Sequence, residues 1–131
     1  MRSLLLSVRP EYTEKIMEGT KTFEFRKSRC HEDVEDVLIY CTCPVKKIVG
    51  RAKIKDILEG TPEEIWAMTE GRGGVEKEFF EEYYHDRTKA IAFELEDVKR
   101  FKQPLGLNDV GIGYAPQSFA YIDFVPERST I

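Results

Sequence analysis

Glu18-Gly-Thr-Lys-Thr-Phe-Glu-Phe-Arg26 is the stretch that decides the fold of this chain. Gly19 can adopt the left-handed conformation in which many helices end. The residues after it alternate in character, which predicts a strand with Phe23 and Phe25 on one face and Glu24 and Arg26 on the other. The two phenylalanines therefore belong to a core, and a carboxylate and a guanidinium lie side by side on the opposite face.

This polar row has two interpretations. It is either a solvated sheet face, whose exposed ion pairs contribute only ~0–1 kcal/mol, or the floor of a polar cleft that the preceding helix roofs. Lys21 is expected at the mouth of the strand. In a cleft, Arg26 would hold Glu24 by a bidentate bond, and Lys21 and Glu24 would face the ligand.

The length of 131 residues predicts a single domain, residues 1–126, followed by a frayed tail at 127–131. Hydrophobic residues at 41% and charged residues at 34% are typical of a soluble globular protein. No apolar run is long enough to cross a bilayer, and Arg9-Pro10 interrupts the apolar start before a signal peptide could form. An odd set of three cysteines favours a reducing compartment, so we expect a cytoplasmic protein without a membrane partner.

The cysteines and a neighbouring histidine do not have the pattern of a metal site. Cys30 precedes His31, and Cys41 and Cys43 are separated by one residue, whereas zinc-binding pairs are usually separated by two to four. We predict no metal site and no cofactor. The three thiols are expected to be buried or half-buried.

Basic residues concentrate in the first half of an acidic chain. The net charge is -4, yet a run of cations follows Pro44. This run is either a solubilising sheet edge or a rim that contacts phosphates beside the cleft. Its members are Lys46, Lys47, Arg51, Lys53 and Lys55.

Helix and strand signals predict an α+β, mainly β fold. Pro10 and the Thr61-Pro-Glu-Glu64 capping box begin two helices, and we place helices at 10–18, 62–70 and 75–85. The third carries Phe79, Phe80, Tyr83 and Tyr84 on its inward face. Tyr83, Tyr84 and Trp66 either belong to the core or stack on bases. Strands joined mostly without helical crossovers indicate a small, largely antiparallel β-barrel of about six strands flanked by two to three helices. The predicted strands are 4–8, 22–26, 37–41, 46–58, 89–98 and 118–124, with a bulge at Gly50 and a long connection over 99–116.

These residues resemble the ASCH family of the PUA-like superfamily. Its hallmark is Gly-x-Lys-x-x-Glu-x-Arg after the first helix, which Gly19, Lys21, Glu24 and Arg26 match at every named position. The resemblance extends to the first strand with Ser7, the turn from Pro44 to Gly50, the paired aromatics after Glu78, and the late segment Pro116-Gln-Ser-Phe119.

The resemblance implies a PUA-like barrel whose hallmark residues line a cleft for RNA or a nucleotide. Protein partners cannot be named from the sequence. The expected ligand-binding residues are Ser7, Arg9, Lys21, Glu24, Arg26, Lys53, Lys55, Gln117 and Ser118.

The alternative is a hydrolase acting on RNA or on a modified nucleoside. One branch of the superfamily removes the acetyl group from N4-acetylcytidine with a Lys, a Thr and a Glu. Lys21 matches the lysine, Glu24 stands where the threonine is expected, and Glu70 is the best candidate for the glutamate. These three would be the catalytic residues of an enzyme. A third class, a protein-interaction module in transcription, is neither supported nor excluded.

Overall fold

A computed structural model describes residues 2–30 and 34–124. Six strands and three α-helices confirm the predicted mainly β class with about six strands and flanking helices. The predicted tail at 127–131 lies outside the described residues. In chain order the elements are β1 (Ser3–Val8), α1 (Pro10–Glu18), β2 (Phe23–Arg26), β3 (Asp36–Cys41), β4 (Lys47–Gly60), α2 (Pro62–Thr69), α3 (Lys77–Tyr83), β5 (Ala90–Leu105), a 3-10 helix (Leu107–Val110) and β6 (Phe119–Ile122).

The strands form one curled half-barrel sheet in the order β2-β5-β4-β3-β1-β6. Neighbouring strands are antiparallel except β1 and β3, which run parallel. The parallel pair is possible because α1 and β2 lie between these two strands in the sequence. Within the described residues, no helix has the length and apolar character needed to span a bilayer.

The core confirms the alternation read from β2. Phe23 and Phe25 are both buried and pack with Ile65 of α2 and Phe80 of α3. A larger cluster packs Ile16 of α1 against residues of β1, β3, β4 and β5. The phenylalanines of the edge strand β2 therefore pack against α2 and α3.

Local signals fix the helix ends. Gly19 ends α1 with φ of 89°, and its amide donates to the carbonyl of Ile16. At α2 the Thr61 hydroxyl accepts from the Glu64 amide at 3.1 Å, and the Glu64 carboxylate accepts from the Thr61 amide at 2.9 Å. These bonds lower the pKa of Glu64. The predicted capping box is confirmed.

Helix α3 and strand β5 depart most from their predicted bounds. Helix α3 covers Lys77–Tyr83 only, and Phe79 is 37% exposed although we placed it in the core. Strand β5 continues to Leu105, through residues we assigned to a connection. Its second half pairs with β4 as far as Ile48. Pro104 is tolerated because β2, the other neighbour of β5, pairs only with residues 91–94.

Gly50 lies at a break in the strand register, as predicted. The pairing of β4 shifts between Ile48 and Gly50 on the β5 side and at the corresponding pairs with β3. A Cβ at Gly50 would lie 2.5 Å from the carbonyl oxygen of Lys99. Glycine is therefore required where the neighbouring backbone approaches most closely.

Candidate functional site

A cleft of about 580 Å³ opens between β1, the start of α1, β2, α3 and the segment before β6. Six of the nine residues predicted to bind a ligand line this cleft. Lys21 lies directly behind it, whereas Lys53 and Lys55 are not in its lining. The residues lining it are Ser7, Val8, Arg9, Tyr12, Glu24, Phe25, Arg26, Tyr40, Thr42, Cys43, Lys46, Val75, Phe79, Phe80, Tyr83, Ala115, Pro116, Gln117 and Ser118.

Glu24 forms the charged floor of the cleft between two cations. Its side chain is 7% exposed, with Oε1 at 3.6 Å from Lys21 Nζ and Oε2 at 3.6 Å from Arg26 Nη2. Within the described residues, Oε2 is buried without a hydrogen-bond partner. Buried polar atoms normally have one, so this oxygen is an unsatisfied acceptor at the floor of the cleft.

The prediction of a bidentate bond between Arg26 and Glu24 is wrong, because the structure does not contain that bond. The guanidinium instead donates from Nη2 to the carbonyl of Ser7 at 2.8 Å and from Nη1 to the carbonyl of Phe25 at 3.0 Å. These backbone bonds use both terminal nitrogens of the guanidinium, so Arg26 forms only a 3.6 Å ion pair with the carboxylate. Arg26 therefore ties β2 to β1 and supplies charge near Glu24.

Lys21 is not at the mouth of the strand, and the predicted direct contact with a ligand does not fit its position. Its side chain is fully buried, and Nζ donates to the carbonyl of Gly73 at 2.6 Å. Burial lowers the pKa of Lys21, and the charge of Glu24 opposes that shift. The ammonium also lies 5.0 Å from the ring centre of Phe25. Lys21 thus positions Glu24 from behind.

The glycine loop, residues 71–74, is fastened by its carbonyl oxygens. Lys15 Nζ donates to Gly74 at 3.0 Å, Lys21 Nζ donates to Gly73, and the Thr22 amide donates to Arg72 at 2.9 Å. A phosphate would need amide donors rather than carbonyls. The loop therefore does not form a phosphate cradle, and its anchoring fixes the position from which α3 begins.

Gly74→Ala should destabilise the fold more than Gly71→Ala. Both glycines have positive φ, but a Cβ at Gly74 would meet the Lys21 side chain at 2.7 Å, whereas one at Gly71 would meet nothing within 4 Å. Backbone strain costs about 1–2 kcal/mol at either position, and overpacking adds about 1–3 kcal/mol at Gly74. Urea unfolding of both variants measures the difference, and equal losses would contradict the tight packing over Lys21.

Aromatic side chains form one wall of the cleft. Phe79 and Tyr83 stack with nearly parallel rings, 8° between planes, and Tyr12 lies 5.7 Å from Phe79. Burial raises the pKa of Tyr83, and the charge of Arg26 opposes that shift. Base stacking was an open alternative for Tyr83, and its place in this wall is compatible with it.

The other two candidate stacking residues lie elsewhere. Tyr84 is buried, and its hydroxyl lies 2.8 Å from the carbonyl oxygen of Arg26. Trp66 lines two other depressions, one with Pro62 and Arg87 and one with Thr69 and Glu70. Their aromatic character serves the core beneath β2, where both pack with Phe80.

The cations that line the cleft differ in part from those we predicted. Arg9 and Lys46 are exposed in its lining, and the Arg9 guanidinium lies 5.5 Å from the ring centre of Phe79. Lys53 instead forms an ion pair with Asp36 at 3.1 Å. Lys55 is exposed outside the lining. Lys46 belonged to the basic run, but nothing in the sequence distinguished it from its neighbours.

Glu70 does not join the cleft. It follows α2 and lines a shallow depression of about 190 Å³ with Thr69, Gly71 and Glu76. Lys21 and Glu24 are adjacent, but the third group of the deacetylating set opens onto a different surface. This arrangement does not place the three groups around a single substrate.

The cysteines form no disulfide. Cys30 and Cys41 are buried, whereas Cys43 is exposed at the cleft and does not fit the expectation of burial. His31 lies outside the described residues. Among residues 2–30 and 34–124, no group of three or more His, Cys, Asp or Glu side chains is arranged to hold a metal ion.

Comparison with known proteins gives matches over most of the chain. The family model described as ASCH domain matches residues 6–104. An "ASCH domain-containing ribonuclease" of Zymomonas mobilis is 27% identical over 110 residues, covering 83% of this chain and 74% of that protein. The crystal structure of ASCH from Zymomonas mobilis superposes with a TM-score of 0.82 at 27% identity, covering 91% of this chain and 86% of the other.

A second relative is much longer. The large ribosomal subunit protein uL22 of Ureaplasma parvum is 24% identical over 121 residues, which are 92% of this chain. The chain spans only 39% of that relative's length.

Proposed function

Because the chain belongs to the ASCH domain family, we propose that it binds RNA or a nucleotide in the cleft above Glu24. The ribonuclease name of the Zymomonas relative supports an RNA-related ligand. We also place the protein in the cytoplasm, where the exposed thiol of Cys43 would remain reduced.

The observation that carries this proposal is the unpartnered oxygen of Glu24. Oε2 is buried at the floor, and the carboxylate is held by Lys21 and Arg26 at equal distances of 3.6 Å. Such a fixed acceptor suits the amine or ring N–H of a nucleobase. A ligand that supplies this donor relieves an unpaired buried atom, which makes the contact selective.

The walls suit the rest of a nucleotide. Tyr12, Phe79 and Tyr83 provide apolar surfaces of the kind on which bases stack. Arg9 and Lys46 provide exposed positive charges for phosphate. Ser7, Gln117 and Ser118 add polar groups in the lining, and we include them in the proposed binding site.

We expect Lys46→Ala to weaken binding of a single-stranded RNA oligonucleotide and to reduce the slope of log affinity against log salt by about 1, because one phosphate contact is lost. Fluorescence anisotropy at several salt concentrations measures both quantities. The matched variants are Lys53→Ala and Lys55→Ala. The same titration tests whether these two lysines make the phosphate contacts that the sequence predicted. Wild-type affinity and slope for Lys46→Ala would remove this lysine from the proposed site.

A hydrolase acting on RNA is the second candidate. The cleft places a carboxylate, Glu24, near the exposed cations Arg9 and Lys46, and RNA cleavage uses a base together with positive charge on the phosphate. End-labelled RNA distinguishes the candidates, since a binder leaves its length unchanged. Fragments formed by the wild type and lost in Glu24→Gln would assign hydrolysis to this cleft.

A further inference from the structure

Exposed apolar side chains extend beyond the lining of the cleft. Four large hydrophobic side chains are exposed among the described residues, and three of them lie in the cleft lining or next to a lining residue in the sequence. Phe79 lies in its lining, Val45 precedes Lys46 of the lining, and Tyr114 precedes Ala115. Tyr114 is 82% exposed, the most of the four. Clustered exposed apolar surface of this kind marks an interaction site.

The backbone on both sides of Tyr114 is anchored although its ring is not buried. Ile112 and Ala115 pack against the second core cluster. The Ser7 hydroxyl donates to the carbonyl of Pro116 at 2.6 Å, and the Ser7 amide donates to the carbonyl of Ser118 at 3.0 Å. The segment thus presents an aromatic ring from a fixed position beside the cleft, which reduces the entropy lost when a ligand orders it.

We propose that Tyr114 is the stacking platform for a second nucleotide, and that the ligand is single-stranded RNA with one base in the cleft and its neighbour on this ring. The inference rests on the proposed function. Tyr114 and the lining residue Ala115 are consecutive, with Cα atoms ~3.8 Å apart. The Tyr114 backbone therefore adjoins the cleft, within reach of the adjacent nucleotide of the same strand.

The charge at the rim favours a polyanion over a protein segment. Among the residues that the structure describes, the cleft lining carries three cations, Arg9, Arg26 and Lys46, and one carboxylate, the buried Glu24. Alternating phosphates and planar bases match positive charge beside aromatic rings. A duplex keeps its bases stacked inside, so only an unpaired strand offers both groups.

The two positions should differ in selectivity. The base in the cleft meets the Glu24 acceptor and must supply a donor there. The base on Tyr114 meets only a ring face, and stacking tolerates every base. Changing the cleft base should therefore alter affinity, whereas changing its neighbour should not.

The test compares a 5′-mononucleotide with a tetranucleotide of the same cleft base. We expect Tyr114→Ala to weaken tetranucleotide binding about tenfold, the loss typical of one stacked base, and to leave mononucleotide affinity within about twofold. Tyr114→Phe keeps the ring and should bind as the wild type. Met68→Ala is the matched control, because Met68 is the exposed hydrophobic away from the cleft.

The outcomes separate this inference from the proposed function. Unchanged tetranucleotide binding by Tyr114→Ala, with mononucleotide binding still dependent on Glu24, would overturn the inference alone. Equal weakening of both ligands would show that Tyr114 contacts the nucleotide in the cleft and would also overturn it. No binding of either ligand by the wild type would overturn both.

Discussion

Replacing Lys21 with methionine is expected to lower the free energy of unfolding by about 3 kcal/mol or more, because removal of one member of a buried ion pair leaves the other charge uncompensated. The side chain is fully buried and lies 3.6 Å from Glu24. The same change removes the donor to Gly73 at 2.6 Å. Arg26 still faces Glu24, so we expect the low end of the range for such losses.

Lys15 of α1 supplies a matched control, because it contacts the same glycine loop. It also donates to a glycine carbonyl, that of Gly74 at 3.0 Å, but it is only partly buried. Lys15→Met should therefore cost less than about 1.5 kcal/mol, the net value of an ordinary hydrogen bond. Urea denaturation of both variants gives the comparison. Similar losses from the two lysines would refute the role of the buried pair.

A double variant isolates the coupling between the two charges. Lys21→Met combined with Glu24→Gln leaves no orphaned carboxylate, so its cost should be smaller than the sum of the single costs. Additive costs would show that Lys21 stabilises the fold through Gly73 and packing rather than through Glu24.

The stability that Lys21→Met loses relative to the wild type should depend on pH in a defined direction. The pKa of Lys21 is lowered in the folded protein by burial, so the unfolded chain binds more protons at pH values between the lowered pKa and 10.5. Wild-type stability relative to Lys21→Met should rise with pH through that window. A difference that stays constant to pH 10.5 would contradict the lowered pKa.

Much of the fold could be predicted because local signals and tertiary packing agree. Gly19 and the capping box of α2 act within one helical turn, and the alternation of Phe23 and Phe25 has the period of the strand itself. The second half of β5 was missed because its charged residues and Pro104 are typical of a loop. That segment forms a strand through pairing with β4, which no local window contains.

The sequence predicted most residues of the site, but it did not predict the orientation of their side chains. Alternation placed Glu24 opposite the phenylalanines, yet it could not show that Lys21, before the strand begins, turns inward to Gly73. The prediction of a bidentate bond from Arg26 was wrong because the carbonyls of Ser7 and Phe25 accept hydrogen bonds from its guanidinium. Such bonding depends on three-dimensional proximity, which sequence spacing does not report.

Glu24→Gln should weaken nucleotide or RNA binding about ten- to hundredfold while the protein remains folded. Glutamine keeps the volume but removes the charge, and a hydrogen bond to a charged group contributes about 1.5–3 kcal/mol. Glu14→Gln is the matched control, because Glu14 is exposed, pairs with Arg100 at 3.1 Å and is not in the cleft lining. Titration of one oligonucleotide against both variants measures the effect, after circular dichroism has verified folding.

The same position also tests the deacetylase resemblance. Glu24→Thr restores the hydroxyl expected beside Lys21, but Glu70 lines a separate depression. We therefore expect neither the wild type nor the Thr variant to release acetate from N4-acetylcytidine, because among the described residues no second carboxylate lines the cleft to activate water. Acetate release by the wild type would make Glu24 itself a catalytic residue and overturn the binding proposal. Release by the Thr variant alone would mean that Glu70 or another base reaches the cleft when a substrate is bound.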